Sequence, residues 1–307
     1  MRRSFAYSVL VSASMLIAPA SWAQVPAVQA PTAQPKATTP PPAPPPVAAK
    51  CANPDAIPMS RTVEIDTTGA PGFGFEHFKN HDFLKQGEVV LTFDDGPWVT
   101  TPKVLKALAD NCVKATFFII GKHATYHPNI LKDVEAAGHT IGAHTWSHAN
   151  LEKKTFDQSK EEIEKGIAAI QWALDGRESA PFFRFPALKH PPEVVKYLAS
   201  RNIAMFSTDF DSFDFKMRKP EQVIKSVMDK LEKHGKGIIL MHDFQHATAD
   251  ALPELLKQMK EKGYKVVHMK PKFMIKSLPE YDELLKKENK MPAANTAPTD
   301  SIVKTVN

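Results

Sequence analysis

Residues 88–97 read Glu-Val-Val-Leu-Thr-Phe-Asp-Asp-Gly-Pro. Val89–Phe93 is an apolar, β-branched run of strand length, and Gly96-Pro97 turns the chain out sharply after it. Similar runs recur at Ala115–Ile120, Thr140–Ala143, Phe182–Arg184, Ile203–Thr208, Gly237–Met241 and Tyr264–His268. Segments with helical spacing lie between them. Thr101–Ala109 carries a Pro at its start, Pro128–Ala137 ends at Gly138, and Phe156–Leu174 sets Ile163, Ile167, Ile170 and Leu174 on one face. Pro191–Ser200, Pro220–Lys233 and Leu252–Lys262 complete the set. Strands alternating with helices in this way predict a parallel α/β fold. A closed or nearly closed (β/α) barrel of about seven strands and an open doubly wound sheet both fit the pattern.

The placing of the chemistry favours the barrel. Asp94-Asp95 follow the first run, His144 the third, Arg184 ends the fourth, Asp209, Asp211 and Asp214 follow the fifth, and His242 the sixth. In a parallel sheet all of these points lie at the C-terminal ends of the strands, and a barrel gathers them round one mouth, where such folds carry catalysis. Adjacent carboxylates such as Asp94 and Asp95 repel unless a positive group sits beside them. A divalent metal on one would leave the other free as a base. In His144-Thr145-Trp146-Ser147-His148 the two histidines share a face if the segment is helical, and with Asp95 they form a two-His, one-carboxylate set that suits zinc or a similar metal. The glutamate of a His-Glu-x-x-His helix is absent, so the base comes from elsewhere, and Asp94 is available. One acid of Asp209-Phe210-Asp211-Ser212-Phe213-Asp214-Phe215 is placed to orient a histidine, and His242, directly after a strand, is placed as a general acid. Each motif taken alone also reads as ordinary structure: an Asp-Gly-Pro turn, two unrelated surface histidines, a structural salt bridge at Arg184, a loop of capping acids, a satisfied structural histidine.

The ends of the chain read differently. Arg2 and Arg3, an apolar stretch from Phe5 to Pro19, and Ser21-Trp22-Ala23 have the layout of a secretory signal peptide over 1–23. No other stretch is long enough to cross a membrane, so a secreted or periplasmic protein with no transmembrane segment after cleavage is expected. Residues 24–50, with Pro40-Pro41-Pro42-Ala43-Pro44-Pro45-Pro46, read as an extended tether that cannot build a core. Residues 51–87 form an N-terminal extension of the domain, 88–275 the domain proper, and 276–307 a short helix from about Glu280 to Asn289 followed by a patternless tail. The formal charge of +5 falls by two without Arg2 and Arg3, too mild a balance to point to a nucleic-acid partner, and none is expected. Cys51 and Cys112 are an even pair in an exported chain, which predicts one disulfide.

In their order, Thr92-Phe93-Asp94-Asp95-Gly96-Pro97, His144-Thr145-Trp146-Ser147-His148, Arg184-Phe185-Pro186, Asp211-Ser212-Phe213-Asp214-Phe215 and Leu240-Met241-His242 resemble the five motifs of the polysaccharide deacetylases, the family-four carbohydrate esterases. The resemblance covers about residues 88–270, and its first two motifs are specific as a pair. It implies a distorted seven-stranded (β/α) barrel and a divalent metal on Asp95, His144 and His148, zinc in the first place with cobalt or nickel as alternatives. It implies Asp94 as general base, Arg184 as the residue positioning Asp94, His242 as general acid, Asp214 as the partner of His242, and Leu240 as lining for the acetyl methyl. The implied reaction removes acetyl groups from N-acetylated sugars of a chitin- or peptidoglycan-type polysaccharide. Two positions depart from the family pattern. Ala187 and Leu188 stand where an aromatic residue and a glycine are common, although the Ala187 N–H remains available to an oxyanion, and Phe215 stands where Trp is common. Both bear on sugar specificity. Rival readings are an acetyl ester hydrolase on xylan, an enzyme acting on a small cyclic amide or imide, and a carbohydrate-binding wall protein with an inactive site.

Overall fold

A computed structural model describes residues 51–288. The expected signal peptide, the tether and the tail beyond residue 288 lie outside the described residues. In chain order the elements are β1 (Met59–Ile65), β2 (Gly72–Phe73), β3 (Glu88–Asp94), α1 (Thr101–Asp110), β4 (Thr116–Ile119), α2 (Gly121–Tyr126), α3 (Pro128–Ala136), β5 (Thr140–Ala143), α4 (Phe156–Ala173), β6 (Phe182–Phe183), α5 (Pro192–Ser200), β7 (Ala204–Phe206), β8 (Phe210–Asp211), α6 (Pro220–His234), β9 (Gly237–His242), α7 (His246–Glu261), β10 (Lys265–Pro271) and α8 (Pro279–Glu288).

Every strand pairing is parallel. β3 pairs with β4, β4 with β5, β5 with β6 and β6 with β7. The chain then runs on from β7 into β8, which pairs with β9, and β9 pairs along β3 from Val89 to Asp94. Among the described residues no pairing joins β7 to β8, so the strand order is consistent with the expected distorted barrel without closing it, and the helices alternate with the strands. β10 joins the foot of β3 at Glu88 and Val89, β1 pairs with β10, and β2 pairs with β7.

Successive side chains of a strand point to opposite faces, and both faces here are packed. Val90, Phe118, Phe182, Phe206 and Ile238 form one buried cluster. Leu91, Phe93, Phe117, Ile119, Ile239 and Met241 turn the other way and pack with Leu108, Ile167, Leu198, Val227 and Leu255 of the helices. Strands buried on both faces read as continuous apolar runs, which is why these were visible in the sequence. β1, β2 and β8 were not foreseen. β2 and β8 are two residues long, and β1 is mostly exposed along its length. α2 was also missed, and α7 begins at His246 rather than Leu252, with Pro253 inside it. The Cys51–Cys112 disulfide is present, with a sequence separation of 61, and fastens the start of the described chain to the turn after α1.

Two histidines, His139 and His268, are buried within the fold away from the residues that follow the strands. His139 Nδ1 accepts the Ala115 N–H at 3.1 Å. The Thr140 hydroxyl donates to Met269 O at 2.6 Å and accepts from His268 Nε2 at 3.0 Å. Burial first, then the nearby charge of Lys114, holds His139 down at about 3. Burial, with Lys270 and Lys114, holds His268 at about 4. Both values lie below the unfolded value of about 6.5, so the fold needs the neutral rings. Their contribution is complete above pH 6.5 or so and is lost as pH falls toward 4. The melting temperature should therefore drop between pH 7 and pH 4.5, and His268→Gln should flatten that slope. An unchanged slope in the variant would contradict this assignment.

Candidate functional site

The last residues of β3 and β9 stand opposite each other in register, Asp94 beside His242 and Thr92 beside Leu240. Asp94, Asp95, His144, His148, Arg184, Asp214 and His242 all come together at this strand edge. Strand alternation puts Leu240 on the same face as His242, one pleat below it, and 5% exposed. Gly96 turns the chain away from the site against the Asp243 carboxylate, where any Cβ would stand 2.2 Å from an oxygen.

Asp95 and the two histidines form the first cluster. Asp95 is left-handed, with φ 73°, which turns its carboxylate back over the strand ends. Its Oδ1 lies 3.4 Å from His144 Nε2 and 3.5 Å from His148 Nε2. This oxygen is buried and has no hydrogen-bond partner. The histidines do not share a helix face. His144 follows β5, residues 145–147 form a turn, and Thr145 and His148 are both left-handed (φ 65° and 57°), so the turn brings the rings to 4.9 Å. α4 packs against this turn at Gly166, whose Cβ would meet the Thr145 carbonyl carbon at 2.7 Å.

His144 Nδ1 donates to Arg184 O at 2.7 Å, which leaves Nε2 as the lone-pair nitrogen facing Asp95. Burial holds the His144 pKa below its ordinary value, against the opposing charges of Asp94 and Asp95. An orphaned carboxylate oxygen facing two imidazole nitrogens fits a divalent cation, and the one-oxygen, two-nitrogen set suits zinc, cobalt or nickel.

Two dyads flank this cluster. Arg184 is fully buried. Its Nη1 donates to Asp94 Oδ1 and Thr92 Oγ1, both at 2.7 Å, its Nη2 to Ser207 O at 2.8 Å and its Nε to Phe206 O at 3.2 Å. The guanidinium also lies 4.3 Å from the Phe118 ring centre. Asp94 keeps Oδ2 on the side of His144, 3.9 Å from Nε2. On the other flank, Asp214 Oδ1 accepts from His242 Nδ1 at 2.6 Å and its Oδ2 from the His242 backbone N–H at 2.8 Å. Burial alone would push the His242 imidazolium down. The hydrogen bond and charge of Asp214, with the charges of Asp95 and Asp94, outweigh that and raise it to about 9.

The other acids of that loop are engaged elsewhere. Asp209 accepts the Phe75 and Ile238 N–H groups, both at 2.7 Å, and Asp211 that of Phe213, also at 2.7 Å. Ala187 is exposed and left-handed, with φ 51°. Phe215 is 46% exposed, 5.6 Å edge-on from the His242 ring.

Four supporting residues were not read from the sequence. The Thr248 hydroxyl donates to Asp214 Oδ2, His123 Nδ1 donates to Asp95 O, Thr92 shares Arg184 with Asp94, and buried Asp243 accepts from Thr101. Burial pushes the Asp243 carboxyl up to about 7, against the Thr101 hydrogen bond and with the repulsion of Asp95. Thr92 sits inside a motif already singled out, and Asp243 directly follows another. Thr248 and His123 lie in helical turns whose start the sequence did not mark.

Asp214 contributes most to the raised His242 value, through both a hydrogen bond and its charge. In metal-free protein, Asp214→Asn should drop the His242 titration midpoint from about 9 toward or below about 6.5, read by imidazole proton shifts against pH. An unmoved midpoint would assign the effect to another acid.

Comparison with known proteins agrees with this arrangement. Residues 83–206 match the polysaccharide deacetylase family. The peptidoglycan-N-acetylglucosamine deacetylase of Bacillus cereus is 33% identical over 193 residues, 61% of this chain and 69% of that protein. The chitooligosaccharide deacetylase of Azorhizobium caulinodans is 32% identical over 162 residues, 52% of this chain and 74% of that one. A solved peptidoglycan deacetylase of Bdellovibrio bacteriovorus superposes with a TM-score of 0.64 at 30% identity, over 71% of this chain and 60% of its own. The order of the motifs, the parallel fold and these relatives agree: the chain belongs to the polysaccharide deacetylase family of enzymes.

Proposed function

We propose that this protein is an exported, metal-dependent deacetylase that hydrolyses N-acetyl groups on the amino sugars of a chitin- or peptidoglycan-type polysaccharide. The observation that carries the reading is the buried, unpartnered Asp95 Oδ1 facing the Nε2 atoms of His144 and His148, with an Arg-held carboxylate on one side and an Asp-held imidazole on the other.

Asp95, His144 and His148 would hold a divalent cation, which would supply Lewis acidity toward the acetyl carbonyl and the attacking water. The rest is done by this chain. Arg184 fixes Asp94 with one carboxylate oxygen engaged, which leaves Oδ2 free to take the proton of the attacking water. The Ala187 N–H, on an exposed left-handed turn, is offered to the developing oxyanion. His242 then gives its Nε2 proton to the leaving nitrogen as the C–N bond breaks. Asp214 keeps that proton in place, since an isolated imidazole with a pKa of about 6.5 would be mostly neutral at pH 7.5 or so. Water and the acetamido group become acetate and a free amine. The signal-like 1–23 and the Pro-rich 24–50 support action on a polymer outside the cytoplasm, and this favours a glycan over a small cyclic amide.

Acetate release by zinc-, cobalt- and nickel-loaded protein on N-acetylated oligosaccharides and on acetyl xylan tests the reading. Release is expected from the N-acetylated oligosaccharides. Asp94→Asn should keep its metal and lose about 10²–10⁴-fold in kcat. Release from acetyl xylan alone, or wild-type turnover in Asp94→Asn, would overturn the substrate class or the base assignment respectively.

A further inference from the structure

His144 and His148 reach Asp95 with unequal support. His144 is 2% exposed, and its Nδ1 is fixed by Arg184 O. The His148 side chain is 41% exposed, and its Nδ1 has no hydrogen-bond partner among the described residues. A ring that ligates a cation is usually steered by a hydrogen bond at its other nitrogen. His148 lacks one from the protein, so its direction has to be set through its backbone.

That backbone is held by α4. The Trp146 N–H donates to Glu162 O at 2.7 Å. The Ser147 N–H donates to Glu162 Oε2 at 2.9 Å, and the Ser147 hydroxyl to Glu162 Oε1 at 2.7 Å. The carbonyls of the turn are met by α2, where the Gly121 and Lys122 N–H groups donate to Thr145 O and Trp146 O, both at 2.9 Å. Among the described residues Glu162 is the one side chain that hydrogen-bonds to residues 145–148, and it has no ion-pair partner there. Both of its carboxylate oxygens are thus spent on Ser147. The turn needs such a hold, because Thr145 and His148 are both left-handed. Residues other than glycine keep that conformation only where their surroundings impose it.

We propose that Glu162 is a positioning residue for the cation site: by gripping Ser147 it directs the His148 ring toward Asp95 and so sets the third ligand. The proposal rests on the reading of Asp95, His144 and His148 as metal ligands. Its test is affinity, which is independent of turnover. Full-length exported protein, stripped of metal, is titrated with zinc by calorimetry. Glu162→Ala should bind about 10- to 100-fold more weakly than wild type. Glu162→Gln, whose amide can still meet Ser147, should recover most of that loss. Ser147→Ala, which removes only the hydroxyl contact, should lose about two- to tenfold. Glu161→Ala removes an exposed acid one residue away, whose side chain makes no hydrogen bond among the described residues, and should bind as wild type does.

A double-mutant cycle separates positioning from general support of the fold. In a His148→Ala background Glu162→Ala should cost nothing further, because the ring it directs is gone. Wild-type affinity in Glu162→Ala, a Gln variant as weak as the Ala variant, equal loss in Glu161→Ala, or full additivity with His148→Ala would overturn the proposal alone. Should Glu162→Ala fail to fold, as read by circular dichroism of the metal-free protein, Ser147→Ala alone and in the His148→Ala background decides in the same way. No zinc binding by wild type would overturn the cation site itself, and this proposal with it.

Discussion

The site depends on one buried cation. Arg184 is fully enclosed, and its guanidinium ties Asp94 and Thr92 of β3 to the carbonyls of Phe206 and Ser207 at the end of β7, over the Phe118 ring of β4. A buried charge is tolerated only when it is paired and its hydrogen bonds are met, and both conditions hold here. The same residue acts twice. Its side chain sets the direction of the Asp94 carboxylate, and its backbone carbonyl accepts His144 Nδ1 and so presents Nε2 to Asp95. The Asp94 carboxylate and the His144 ring are thus aligned from one point at the end of β6. Removing the side chain would leave Asp94 buried without a counter-charge, a loss of about 3–5 kcal/mol.

The acid side is organised separately. Asp214 is fixed by the Thr248 hydroxyl and the His242 backbone N–H before it meets the His242 ring. The two flanks therefore use carboxylates in opposite senses. Asp94 is tied to a permanent cation, whereas Asp214 raises the hold of His242 on its proton. The β3–β9 register, with Asp94 opposite His242, sets these two side chains on neighbouring strand ends with the Asp95 cluster beside them. Asp243, packed under Gly96, adds a third buried carboxyl behind that turn.

The strands that carry the site were legible because they are buried on both faces, so Val89–Phe93 or Gly237–Met241 needs no alternation to be recognised. β1, β2 and β8 were not, because β2 and β8 are only two residues long and β1 is mostly exposed. The histidine pair shows the limit of spacing arguments. His144 and His148 converge, yet through two left-handed residues in a turn, and a separation of four cannot tell that from a helix face. The acidic loop left Asp209, Asp211 and Asp214 open until the motif resemblance chose the last. The geometry supplies the reason, since backbone N–H groups already occupy Asp209 and Asp211. Thr248 had no signal, because it precedes the apolar spacing by which α7 was recognised.

The account rests on Asp95, His144 and His148 acting together as a cation site. Metal analysis of dialysed protein tests this most directly. Wild type should retain about one divalent ion per chain, and His148→Ala should lose it while keeping a wild-type circular dichroism spectrum. Full metal content in a folded His148→Ala protein would contradict the assignment.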